Sequence, residues 1–144
     1  MAMGRIATAF GAGLLGLCLT VGVPQAAEIF VTVQNVRNGD GSIRLVLFDD
    51  PERFPMGGWT MEVAVPARTG ETIAVFEGIE PDTYAMIAYH DEDDDSNLDT
   101  FLRIPREGFG FSNDAKVKLG PPTFGEASFV VEIEGARLTI SINY

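Results

Sequence analysis

Arg137-Leu138-Thr139-Ile140-Ser141-Ile142 alternates polar and apolar residues without a break. A strand points successive side chains to opposite faces, so this period of two gives one covered face and one wet face. The pattern recurs upstream, with Ile29, Val31 and Val33 set against Thr32 and Gln34, and Ile43, Leu45 and Leu47 against Arg44. Thr60–Val65, Thr72–Phe76 and Ser128–Glu134 extend the series. Tyr84–Tyr89 is apolar on both faces and reads as a central strand. Beyond residue 27 no segment sustains a helical period.

The joints between these runs carry turn chemistry. Asn38-Gly39-Asp40-Gly41 supplies residues tolerant of positive φ between the first two strands, and Gly135-Ala136 fits a two-residue hairpin between the last two. About seven short strands, each with one apolar face to bury, predict an all-β chain. The expected architecture is an antiparallel two-sheet sandwich, with a closed barrel as the competing solution.

The N-terminus has Arg5 as its only charge, then an apolar run from Ile6 to Val23, and small residues at Ala26 and Ala27. This is the pattern of a secretory signal peptide over 1–27. A membrane anchor is the rival reading, but the run holds several glycines and stops at Pro24 beside a cleavage-competent site. Cys18 follows Leu17, where lipoprotein processing needs a small residue, so lipidation is not expected. The expected product is therefore one domain over 28–144, periplasmic or secreted, with no membrane span once the leader is gone.

That cut removes the only cysteine, so neither disulfides nor a thiolate nucleophile are available. It also leaves nine basic against 21 acidic residues, a net charge of −12. A field of that sign repels nucleic acid and anionic lipid. A monomer whose partner is an unidentified protein or a glycan is the expectation.

The acidity concentrates in His90-Asp91-Glu92-Asp93-Asp94-Asp95-Ser96-Asn97-Leu98-Asp99-Thr100, with six carboxylates between Asp91 and Asp99. Clustered carboxylates repel unless water or a cation neutralises them, and an all-oxygen ligand set suits Ca²⁺. With Asp91 at position 1 of a calcium loop, Asp93, Asp95, Asn97 and Asp99 fall at positions 3, 5, 7 and 9, where alternate side chains converge on one ion. Position 6, a glycine in the helix-flanked version of the loop, is Ser96, and position 12, usually a bidentate acid, is Leu102. Glu92 and Asp94 are expected to point away from the ion, and Arg103 and Arg106 to answer the acidic charge. The bland alternative is a solvated acidic turn.

The loop continues to Gly125, long and rich in Gly, Pro and Asp, and carries Phe101, Phe109, Phe111 and Phe124. These rings read first as a satellite core and second, with Trp59, as a platform for carbohydrate or peptide. His90, the sole histidine, has a competing reading as a general base. No nucleophile elbow accompanies it, so a hydrolase is the lesser hypothesis and no catalytic residue is assigned. One imidazole without a thiol also disfavours zinc.

Four segments in order, Phe76-Glu77-Gly78-Ile79-Glu80-Pro81-Asp82-Thr83-Tyr84-Ala85, His90 to Thr100, Ile104 to Asn113 and Pro121-Pro122-Thr123-Phe124, resemble an exported bacterial family catalogued as domain of unknown function 2141. The family pattern carries glycine where Asp82 and Ser96 stand here. The resemblance implies an immunoglobulin-like or transthyretin-like sandwich and brings no activity with it. Taken together, the sequence predicts an exported, non-catalytic accessory or binding module that holds Ca²⁺ in its acidic loop.

Overall fold

The computed structural model describes residues 26–96 and 107–144. Most of the expected leader, together with Asn97, Asp99, Phe101, Arg103 and Arg106, lies outside the described residues. In chain order the elements are β1 (Ala27–Val36), β2 (Ser42–Phe48), β3 (Met61–Pro66), β4 (Gly70–Ile79), β5 (Asp82–Asp91), β6 (Phe109–Phe111), a 3-10 turn (Ser112–Asp114), a one-turn helix α1 (Phe124–Ala127), β7 (Phe129–Val131) and β8 (Ala136–Ser141). One sheet runs β4-β1-β8; the other runs β3-β2-β5-β6, with β7 also paired to β5. The chain is an all-β sandwich.

Alternation builds the main core. Ile29, Val31 and Val33 of β1, Ala74 and Phe76 of β4 and Ile140 of β8 project inward from the three-stranded sheet. They meet Ile43, Leu45 and Leu47 of β2 and Met86 and Ala88 of β5. Full burial of a side chain of this size contributes about 1.5–3 kcal/mol, which makes this layer the main source of stability.

β5 is covered on its other face as well, as its sequence implies. Val46 and Phe48 of β2 join Ala85, Ile87 and Tyr89 of β5 and the rings of Phe54 and Phe111 in a second apolar cluster outside the five-stranded sheet. Phe54 sits at its hub, edge-on to Phe48 at 5.3 Å, Phe124 at 5.9 Å and Phe111 at 6.0 Å. Phe109 and Phe124 pack against the same cluster. These rings are occupied by packing.

Three features depart from the sequence reading. The segment from Asp91 to Gly125 is not one long loop: Phe109–Phe111 adds a strand to β5, and α1 starts at a capping box in which Thr123 and Glu126 satisfy each other's backbone N–H. The last two strands do not form a hairpin through Gly135-Ala136. β7 pairs with β5, a bridge between Glu132 and Gly135 reverses the chain, and β8 enters the opposite sheet beside β1. β8 consequently runs parallel to β1 in a sandwich otherwise paired antiparallel. At this crossing Gly135 has φ +93°, and a Cβ there would stand 2.3 Å from the Glu28 carbonyl oxygen.

Candidate cation site

β5 alternates to its last residues, so His90 and Asp91 end on opposite faces. His90 points inward and is fully buried. Its Nε2 lies 2.7 Å from the Asp40 carbonyl oxygen and its Nδ1 2.8 Å from the Tyr144 hydroxyl. The carbonyl only accepts, which makes Nε2–H the donor, and the Tyr144 hydroxyl meanwhile accepts the backbone N–H of Arg37. Both ring nitrogens tie the β1–β2 turn to the chain's C-terminal segment.

Asp91 points to the outer face and is also fully buried. Arg44 shares that face on β2, between Asp91 and Glu62 of β3, and its guanidinium donates to Asp91 Oδ2 at 2.6 Å and to Glu62 Oε1 at 2.8 Å. Burial pulls the Arg44 pKa down, but the hydrogen bonds it donates to Asp91 and Glu62 outweigh it and the net shift is upward. Gly41 lets the β1–β2 turn close against this strand end. It has φ +60°, and a Cβ there would fall 2.0 Å from the Asp91 carbonyl oxygen.

The residues after β5 fold back over the Asp91 carboxylate. The N–H groups of Asp95 and Ser96 donate to its two oxygens at 3.1 Å, and Asp95 N–H also reaches Asp93 Oδ1 at 3.3 Å. Asp94 and Ser96 take positive φ, +55° and +58°, the left-handed region that glycine enters most readily. Arg44 also donates to the Ser96 hydroxyl.

This fold-back brings Asp91, Asp93 and Asp95 together, with one carboxylate oxygen from each lying within 4.8 Å of the others. Glu92 and Asp94 are directed elsewhere. Glu92 meets Arg37, with an Nη2–Oε2 distance of 2.7 Å, and Asp94 Oδ1 accepts the Ser42 hydroxyl at 2.6 Å. The Arg37 hydrogen bond holds the Glu92 carboxyl below the usual carboxylate range. Asn97 and Asp99, the two remaining residues of the expected ligand set, lie outside the described residues.

The donor chemistry of the cluster fits a hard cation. A carboxylate offers about four lone-pair sites, and Asp91 spends three of them on Asp95 N–H, Ser96 N–H and Arg44 Nε, leaving one on Oδ1. Asp93 and Asp95 are exposed. Glu107 feels the accumulated charge: burial, then repulsion from Asp91, Asp93, Asp95 and Glu92, raises its pKa.

Sequence spacing does not mark Arg37, Arg44 or Glu107 as site residues. For Arg44 a signal was available: a strand beside a doubly covered β5 is itself covered outside, so an arginine there needs a buried acid. Glu107 carries no local signal. The Gly108 carbonyl accepts the His90 N–H at 2.9 Å, and this long-range pairing sets Glu107 beside the acidic loop.

The family model described as an uncharacterized protein conserved in bacteria, DUF2141, matches residues 31–139. The chain belongs to this family. The DUF2141 span takes in parts of both sheets and the whole acidic loop, and its description names no activity. No curated protein and no solved structure matches the chain significantly. Among the described residues no helix is long and apolar enough to cross a membrane.

Proposed function

We propose that this chain is an exported, non-catalytic accessory or binding module whose acidic loop holds Ca²⁺. The observation that carries the reading is the convergence of Asp91, Asp93 and Asp95 on one small volume while Glu92 and Asp94 are turned to other partners. Converging oxygens match the alternate-residue ligation of a calcium loop, and diffuse screening would need no such sorting. Asp91 anchors the set from the end of β5, and Asp93 and Asp95 follow in the turn that the Asp95 and Ser96 N–H groups fold back over its carboxylate. Asn97 and Asp99 are proposed to complete the ligand set.

The role of such an ion is to hold the β5–β6 connection against the sandwich, since an uncompensated cluster strains that turn by like-charge repulsion. Export rests on the leader pattern over 1–27, and the absence of catalysis on the commitment of both His90 nitrogens. The experiment is thermal unfolding with calcium and with chelator. A ligand bound only by the native state stabilises by RT ln(1 + [L]/Kd), about 2.7 kcal/mol at a hundredfold excess over Kd. Magnesium is expected to do less, because it demands octahedral geometry and sheds water reluctantly.

A further inference from the structure

We propose that the outer edge of β4 is a docking strip for an extended peptide segment carrying two basic residues that flank two apolar ones. This surface is separate from the acidic loop and does not depend on calcium.

β4 ends the β4-β1-β8 sheet, so one of its long sides has no paired strand among the described residues. Native proteins usually blunt such an edge with proline, with charged side chains, lysine above all, or with a bulge inside the strand. Gly70–Ile79 contains neither proline nor lysine, and its only charges are Glu71 and Glu77. Its two irregularities lie near the strand ends, between Ala27 and Ile29 and between Gln34 and Val36 on the partner β1. Between them Glu71–Phe76 pairs without interruption. A regular edge with no paired strand is a template for one more strand.

The outward face of β4 specifies what that strand should carry. Thr72, Ala74 and Phe76 are buried, which leaves Glu71, Ile73, Val75 and Glu77 facing out in the order acid, apolar, apolar, acid. Ile73 is 61% exposed. Neither glutamate belongs to an ion pair among the described residues. Cross-strand pairs are the unit of sheet stabilisation, with opposite charges favourable and like charges facing each other unfavourable. The complementary segment therefore alternates basic, apolar, apolar, basic at every second residue.

The same rule rejects a second copy of this chain. Two β4 strands paired antiparallel about Ala74 would set Glu71 opposite Glu77 twice, acid against acid. The chain's net charge of −11 adds to that repulsion and favours a cationic segment at longer range.

The test is a nuclear magnetic resonance titration of the isotopically labelled chain with the end-capped peptide Lys-Thr-Ile-Thr-Val-Thr-Lys. That pattern presents the same four side chains in either strand direction. Two analogues accompany it: Glu-Thr-Ile-Thr-Val-Thr-Glu, and a backbone N-methylated form of the lysine peptide that keeps its ammonium groups but has no backbone N–H left to donate. Saturable shifts are expected at the amides of Glu71–Glu77. The acidic peptide should bind at least about tenfold more weakly, and the N-methylated one should lose binding. In a Glu71→Lys, Glu77→Lys double variant the preference between the charged peptides should reverse. The proposal is overturned by any of three results: no perturbation of β4 at about millimolar peptide, equal binding of lysine and glutamate peptides, or undiminished binding of the N-methylated form. The two glutamates would then be guards against strand addition.

Discussion

Arg44→Met removes a guanidinium that donates to Asp91, Glu62 and the Ser96 hydroxyl. The dominant loss is at Asp91, whose side chain is 1% exposed, against 17% for Arg44 and 28% for Glu62. Breaking a buried ion pair by removing one partner costs about 3–5 kcal/mol, because a charge is left without its counterion. Asp91 keeps two backbone N–H donors, and Glu62 can turn to water, so the lower end applies, about 3 kcal/mol. For a domain of this size that corresponds to a Tm lower by on the order of 10–15 °C. Calorimetry and urea unfolding without calcium provide the measurement. Pairing the change with Asp91→Leu should recover much of the loss, since the apolar pair leaves no stranded charge. A loss under about 1 kcal/mol for Arg44→Met would refute the reasoning, because an exposed, screened pair costs no more than that.

Other substitutions and pH probe different joints. Gly41→Ala should cost more than about 2 kcal/mol in urea unfolding, because left-handed backbone and a Cβ 2.0 Å from the Asp91 carbonyl act together. Ser112→Ala should cost about 1–3 kcal/mol, because the buried hydroxyl accepts the Met86 N–H at 2.9 Å and donates to the Ala127 carbonyl. Glu92 has its carboxyl pKa lowered by Arg37, so the stability it contributes is present above its unfolded pKa and is lost as pH falls through the lowered folded value. Glu92→Gln should flatten that acid limb. Glu107 has the opposite sign: its raised pKa means stability present below the unfolded value and lost as pH rises through the folded one. Bound calcium should lessen that shift by offsetting the repulsion from the aspartates while burial persists, which a carboxyl titration followed by nuclear magnetic resonance would detect.

The strands were most legible where they bury a full face, as β1, β2 and β5 do. Ile29, Val31 and Val33, and Leu138 and Ile140, announce their pleat, and the two-sided apolar run at Tyr84–Tyr89 announced a strand covered twice. What stayed hidden was long-range pairing. Nothing near Phe109-Gly110-Phe111 says that three residues will extend the sheet from β5, and nothing in Gly135-Ala136 says that the chain will cross between sheets there. The one-turn helix did carry a signal in Thr123-Phe124-Gly125-Glu126, whose capping residues stand at the right spacing. It is too short to show helical periodicity.

At the acidic loop the alternation of Asp91, Asp93 and Asp95 was readable, because spacing alone sorts odd from even positions. The positions of Glu92 and Asp94 were readable only in part. The sequence places them away from the cluster, but their partners Arg37 and Ser42 come from the β1–β2 region, distant in the chain. The same is true of Arg44, which supplies the fixed positive charge beside Asp91.

The most direct test is isothermal titration of the chain with calcium, run beside Asp93→Asn and Glu92→Gln. Asp93 belongs to the converging set and Glu92 to the Arg37 pair, although the two are neighbours of the same charge. Saturable binding of about one ion per chain is expected, lost in Asp93→Asn and preserved in Glu92→Gln. No calcium heat at all, or equal weakening by both substitutions, would contradict a calcium site at this loop.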